Sequence, residues 1–231
     1  MKKLLDDRFA PITGRIGFLQ TTMERLADCV LASWRRISRP GACDYFHADL
    51  ATALARLEPL NEPRVLLVDT ASEWTAVFRD DTLPLVDYVS SVLRCPGVCA
   101  TCNEDTYDIK TGRGTPGSVQ LFVFAGVQDL DHNYRRTISV TNQLGRWHFD
   151  QSYQPLPFED VQRYRARRVR DRFTPEMLDR YCQAMGIRPF DHTFYGPRCG
   201  LIYPARPLPA DFEPLTYEKL QAQRNLGPSQ G

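Results

Sequence analysis

No apolar run in this chain is long enough to cross a bilayer. The longest, Leu121 to Val127, falls far short of the roughly 20 residues that a spanning helix needs. Met1 to Pro11 is charged and has no apolar stretch of the kind a secretory signal carries. Both absences lead us to expect a cytoplasmic protein without membrane contact. Excess charge is missing too: 29 basic and 28 acidic residues leave a net charge of +1, so no global field steers the chain toward nucleic acid or lipid. Seven cysteines, an odd number scattered through the sequence, argue for reduced thiols and against a disulfide framework. The four histidines, His47, His132, His148 and His192, stand apart from one another. None belongs to an HExxH or to a Ser- or Cys-centred catalytic signature. There is no internal repeat, no second CxxC pair and no twelve-residue calcium loop.

Against these absences, 231 residues with 42% hydrophobic content can build a substantial core. Apolar positions from Gly17 to Ile37 recur at close to the helical period and predict an amphipathic helix. Asp44 is a candidate cap for a second helix that Glu58-Pro59 stops near Leu57. The period then changes. Arg64 to Val68 and Trp74 to Phe78, with a turn at Asp69 to Ser72, predict a hairpin. Pro84 to Leu93 predicts a short helix, followed by strands near Val98 to Cys102, Val119 to Val127, Thr137 to Thr141 and Arg146 to Phe149, the last after a turn at Gly145.

Beyond residue 150 the pattern turns helical again. Phe158 to Phe173 predicts one helix, and Thr174-Pro175-Glu176 is a start signal for another that ends at Gly186. From Pro197 onward the proline content predicts a surface tail without regular structure. The expected fold is α+β: a mostly antiparallel sheet of about five or six strands flanked by N- and C-terminal helices. All of residues 1–231 read as one domain, with an N-terminal helical pair at 15–58, a sheet region at 64–150, and C-terminal helices and tail at 158–231.

The most concentrated chemistry is arginine. Arg163, Arg165, Arg167, Arg168, Arg170 and Arg172 lie within ten residues. On a helix of about 100° per residue, Arg163, Arg167 and Arg170 face away from the apolar positions, with Tyr164 beside them, as a partner-binding surface. Arg165, Arg168 and Arg172 would share a side with Phe158, Val161 and Val169, where a guanidinium needs a carboxylate, carbonyl or ligand. They are candidates for an anion pocket or for internal ion pairs. Residues 41–90 hold nine acids against three bases, and residues 131–190 hold eleven arginines against seven acids, so pairing between the two regions is the structural expectation. Glu159 to Arg163 would add a favourable i,i+4 pair.

Four stretches, Leu57-Glu-Pro-Leu60, Arg64-Val-Leu-Leu-Val68, Ser72-Glu-Trp-Thr-Ala-Val-Phe78 and Arg170-Asp-Arg-Phe-Thr-Pro-Glu-Met-Leu178, resemble a set of uncharacterised bacterial proteins over about two-thirds of the chain. These motifs are mostly packing residues, so the resemblance implies a shared fold and carries over no catalytic residue. In size and single-domain build the chain is also similar to toxin-neutralising immunity proteins.

Other motifs fall short of a site. Cys95-Pro-Gly-Val-Cys99-Ala-Thr-Cys102 has a spacing similar to the cluster-binding signature of radical S-adenosylmethionine enzymes. However, Thr101 replaces the usual aromatic and the run leads into a strand, so small buried thiols are the expectation. Gly112-Arg-Gly-Thr-Pro-Gly117 matches GxGxxG by letter, but it precedes a strand instead of opening a helix, and Pro116 removes an amide. Asp129-Leu-Asp131-His132 clusters possible metal ligands in a turn, where Asp is favoured for backbone reasons anyway. Glu73 beside Trp74 would be a perturbed carboxylate if buried.

No catalytic residue, metal or cofactor is therefore assigned. The expected function is non-catalytic protein binding, with neutralisation of a cognate toxin as the specific form. An enzyme acting on an anionic small substrate at Arg165, Arg168 and Arg172 is the alternative, and a nucleic-acid-binding module ranks third.

Overall fold

A computed structural model describes residues 4–5, 7–111, 113–129, 132–206, 209 and 211–224. Every strand expected from residues 64–150 forms, and three more come from segments read as helix or tail. The strands are β1 (Arg15–Leu19), β2 (Gly41–His47), β3 (Val65–Thr70), β4 (Thr75–Phe78), β5 (Gly97–Asn103), β6 (Ser118–Phe124), β7 (Tyr134–Gln143), β8 (Arg146–Ser152) and β9 (Tyr195–Pro204). They make one nine-stranded sheet in the order β2-β9-β3-β4-β1-β5-β6-β7-β8. Each neighbouring pair is antiparallel.

The α+β class and the antiparallel sheet thus agree with the sequence, whereas the strand number does not. The proposed N-terminal helical pair contains two strands. Gly17 to Leu19 belongs to β1 instead of the first helix, because Phe18 packs in the core from a strand just as it would have from a helical stripe. The helix α1 (Met23–Arg36) starts later, with Thr22 accepting a hydrogen bond from the Arg25 amide. Asp44 lies in β2, and the cap of the following helix α2 (Leu50–Ala55) is Asp49, whose carboxylate accepts from the Thr52 amide at 2.9 Å. The expected proline-rich tail is also overturned: β9 sits between β2 and β3, hydrogen-bonded on both sides. Pro197 is accommodated where the β3 to β9 register shifts between Val68 and Thr70, since a bulge tolerates a missing amide.

Two cores lie on the two faces of the sheet. One collects Ile16, Phe18, Leu66, Val68, Phe78, Ala100, Leu121, Ile138 and Leu201. It is covered by α2 and by α4 (Pro175–Ala184), which contributes Met177, Leu178 and Tyr181. The other holds Leu19, Leu67, Val77, Cys99 and Ile202 under α1 and α3 (Thr82–Leu93). Helices α1 and α2 therefore sit on opposite faces and do not form a pair. Close approach of α3 is made possible by Gly17, where an added Cβ would lie 2.4 Å from Val86 Cγ2. A last helix, α5 (Tyr217–Arg224), buries Tyr217 in the first core.

The start signal at Thr174 is borne out. Its hydroxyl accepts from the Met177 amide, Pro175 occupies the first turn, and the chain leaves α4 through Gly186 at φ +78°. The helix expected over Phe158 to Phe173 does not form. Only single 3-10 turns appear, at Arg163–Arg165 and Val169–Asp171, separated by extended backbone at Ala166 and Arg168. A continuous helix would stack Arg163 on Arg167 and Arg168 on Arg172 at i,i+4, where like charges repel. Among the described residues, no helix is long and apolar enough to cross a membrane.

Candidate functional site

The arginine segment is shaped by a residue outside it. Arg136 on β7 occupies an inward position in line with Ile138 and Val140, where its guanidinium must find partners or be expelled. It finds them in the segment that follows β8. Nε lies 2.9 Å from Glu159 Oε1, Nη2 lies 2.8 Å from Glu159 Oε2, and Nη1 donates to the Ser152 and Tyr153 carbonyls at 3.0 and 2.8 Å. Nη2 also donates to Gln151 Oε1. The paired side chains are 1% and 0% exposed.

Tyr164 donates to Glu159 Oε2 at 2.8 Å and lies 3.1 Å from the Tyr181 hydroxyl, which accepts from the Asp160 amide at 2.7 Å. Burial, then the hydrogen bonds to Tyr181 and Glu159, push the Tyr164 phenol well above the ordinary tyrosine range. The network pins residues 153–164 to the sheet and to α4 with its buried polar groups satisfied.

This placement corrects two expectations. Tyr164 is 5% exposed and is a buried support, not a surface contact. Glu159 pairs with Arg136 instead of Arg163. Without a helix, the division into outer and inner arginines also disappears. Arg163, Arg165, Arg167, Arg168 and Arg170 are all exposed, and only Arg172 is half-buried. The Arg172 guanidinium lies 5.7 Å from the Phe149 ring centre, and its Nε donates to the Ala166 carbonyl at 3.0 Å, which closes the loop on itself.

Among the described residues, no ion pair joins any of the six arginines to a carboxylate. The expected pairing with the acids of residues 41–90 is therefore not made. One of those acids, Asp69, instead meets Arg198 of β9 at 3.2 Å, and Arg198 also contacts Glu24. Sequence reasoning missed Arg136 and Tyr181 and gave Glu159 the wrong partner. The available signal was an arginine at an inward position of an alternating strand.

The remaining candidates separate in space. Cys99 faces the α1/α3 core and Cys102 the opposite core, because three residues along a strand reverse the direction of a side chain. Burial pushes both the Cys95 and Cys99 thiols up, Cys95 to about 11. Gly112, Leu130 and Asp131 lie outside the described residues. In the rest of the glycine loop the Gly117 amide donates to Asp105 and the Thr115 amide to Thr106, so these donors are already used. Asp129 and His132 are exposed and meet at 2.6 Å. Glu73 is exposed, as are all four histidines, while Trp74 is buried with its Nε1 donating to the Met185 carbonyl. Among the described residues, no three His, Cys, Asp or Glu side chains converge in a metal-binding group.

What the fold and this surface define is an α+β protein that presents an arginine loop from a buried polar anchor. Comparison with protein-family models, with curated proteins and with solved structures finds no match.

Proposed function

We propose that the chain is a non-catalytic protein-binding protein whose arginine loop receives an acidic surface of a partner, with neutralisation of a cognate toxin as the specific form. The observation that carries this reading is the set of five exposed arginines, Arg163, Arg165, Arg167, Arg168 and Arg170, without a carboxylate partner among the described residues. Intramolecular ion pairs would have left little free charge to offer. Here, among the described residues, the guanidinium groups keep their planar donors free on a loop tied at one end by the Arg136, Glu159 and Tyr164 network and closed by Arg172 on the Ala166 carbonyl. Such preorganisation lowers the ordering cost of association, and Arg is favoured at the centre of protein interfaces.

The test is capture of partners by the tagged full chain beside an Arg163→Ala/Arg167→Ala/Arg170→Ala variant. A stoichiometric acidic protein bound by the wild type at about 0.15 M salt, and lost from the variant, supports the proposal. Retention of the same protein by the variant sinks it. So does capture of nucleic acid alone with affinity that collapses on raising salt, because phosphate contacts are shed in that way.

A further inference from the structure

A second group of arginines lies elsewhere in the fold and stands independently of the arginine loop. Four segments meet around an open cleft of about 280 Å³: Ile12, the turn after α1, the α2 to β3 connection and the β4 to α3 connection. Its volume is close to the small end of ligand sites, about 300 Å³. Arg39, Arg64 and Arg79 all line it, but they are not equivalent.

Arg64 is spent on the protein itself. Its Nε and Nη2 bind Glu62 at 3.1 and 3.0 Å, and Nη1 donates to the Arg56 and Glu58 carbonyls. Arg79 is half-buried and, among the described residues, its guanidinium has neither a hydrogen bond nor an ion pair. Arg39 has only the Trp34 ring, 6.0 Å away, and likewise no ion pair among the described residues. Asp80 and Asp81 also line the cleft, but both are exposed and neither makes an ion pair with Arg79.

Burial pulls the Arg79 pKa below the ordinary guanidinium value; Asp81 and Asp80 oppose this, and the like charge of Arg39 adds to it. Asp81 and Asp80 thus offset part of the burial without bonding to the guanidinium, and its planar donors stay available to an oxyanion. Leu60, half-buried, supplies apolar surface beside it, backed by Ile12 and Leu57, which are buried in the first core.

We infer that this cleft binds a small oxyanion, a carboxylate or phosphate group on a short apolar body, with the oxygens on Arg79 and Arg39 and the body against Leu60. Bidentate geometry suits both anions, because guanidinium presents its donors in a fixed fork that matches two oxygens. The apolar surface favours an alkyl-bearing ligand over the bare ion, since each methylene removed from water adds to affinity.

The probes are inorganic phosphate, acetate and hexanoate, each titrated into the full chain at about 20 mM ionic strength, where charge contacts are least screened. Binding is read by calorimetry and by the nitrogen and proton shifts of the arginine Nε groups. The expected result is saturable one-to-one binding of at least one probe, with hexanoate tighter than acetate and a shift of the Arg79 Nε signal. Phosphate binding in place of hexanoate would identify the phosphate arm. Arg79→Met should weaken binding about tenfold or more, the scale of losing a charge-assisted hydrogen bond. Arg79→Lys should weaken it less.

Absence of saturation by all three probes up to about 10 mM, past millimolar affinities and within the ionic strength of the titration, overturns the inference. Unchanged binding by folded Arg79→Met does the same. If Arg79→Met does not fold, the wild-type Arg79 Nε signal decides: a shift on titration supports the site and a static signal refutes it.

Discussion

Arg136 and Glu159 form a bidentate ion pair between β7 and the segment that follows β8, with both side chains withdrawn from water. The pair converts an otherwise irregular stretch into a fixed platform, because the same carboxylate accepts from Tyr164 and from the Leu156 amide at 2.9 Å. Removing one partner strands a buried charge. Glu159→Leu should therefore lower unfolding free energy by about 3–5 kcal/mol, whereas Arg136→Met/Glu159→Leu should lower it by clearly less. Urea unfolding of the two variants beside the wild type measures both. Equal losses would mean that the pair is not the keystone of this segment.

The arginine loop behaves in the opposite way. Its exposed guanidinium groups make no ion pair among the described residues, so Arg163→Ala, Arg167→Ala and Arg170→Ala should each change stability by no more than about 0.5 kcal/mol. A thermal or urea scan showing a large loss in any of them would reveal a structural partner and weaken the binding proposal.

The position of β9 predicts that the chain cannot be shortened to before that strand. With β2 on one side and β3 on the other, β9 supplies Cys199 and Leu201 to one core and Ile202 to the other. A chain ending at Phe194 leaves β2 with no sheet neighbour and exposes the β3 edge. Far-UV circular dichroism should show loss of cooperative unfolding, and a sharp transition in the shortened chain would contradict the topology.

That strand also shows where sequence reading stopped. Local signals were legible where one element carried its own punctuation. Thr174 and Pro175 announce α4, and the runs at Arg64 to Val68 and Trp74 to Phe78 announce the hairpin of β3 and β4. By contrast, Pro197 and Pro204 made β9 read as a surface tail. The apolar run from Cys199 to Tyr203 pairs with strands more than 125 residues away in sequence, as Val68 with Cys199 shows. Non-local pairing leaves no periodic trace in its own segment. The arginine loop failed for a related reason: its apolar spacing fits a helix, but Glu159 and Tyr164 are claimed by Arg136 on β7 and Tyr181 on α4. A tertiary demand overrode a local preference.

Buried thiols should make the fold sensitive to alkali. Burial raises Cys95 and Cys199 to about 11 and carries Cys99 and Cys182 higher still, from an ordinary value of 9.0. A group whose pKa is higher folded than unfolded contributes its full stability below the unfolded value and loses it as pH rises through the folded one. The window for Cys95 and Cys199 is thus about pH 9 to 11, with a limiting slope of about 1.4 kcal/mol per pH unit for each thiol. Urea midpoints measured with a reducing agent should hold steady up to about pH 8.5 and then fall steeply. A flat profile to pH 10.5 would place these thiols in water.

Gly17 offers the sharpest test of how α3 meets the sheet. An added Cβ would stand 2.4 Å from Val86 Cγ2 and 2.6 Å from Thr82 Cγ2, and both residues are 0% exposed. Gly17→Ala should therefore cost about 1–3 kcal/mol through overpacking. Val86→Ala alone should also destabilise, by opening a cavity. Because the two changes act on the same contact, the added methyl can occupy space that Val86 vacates, and the double variant should lose less than the sum of the single losses. Thermal unfolding of the four proteins gives that coupling directly. Strict additivity would mean that α3 shifts as a body away from β1, and that Val86 does not set the distance between helix and sheet.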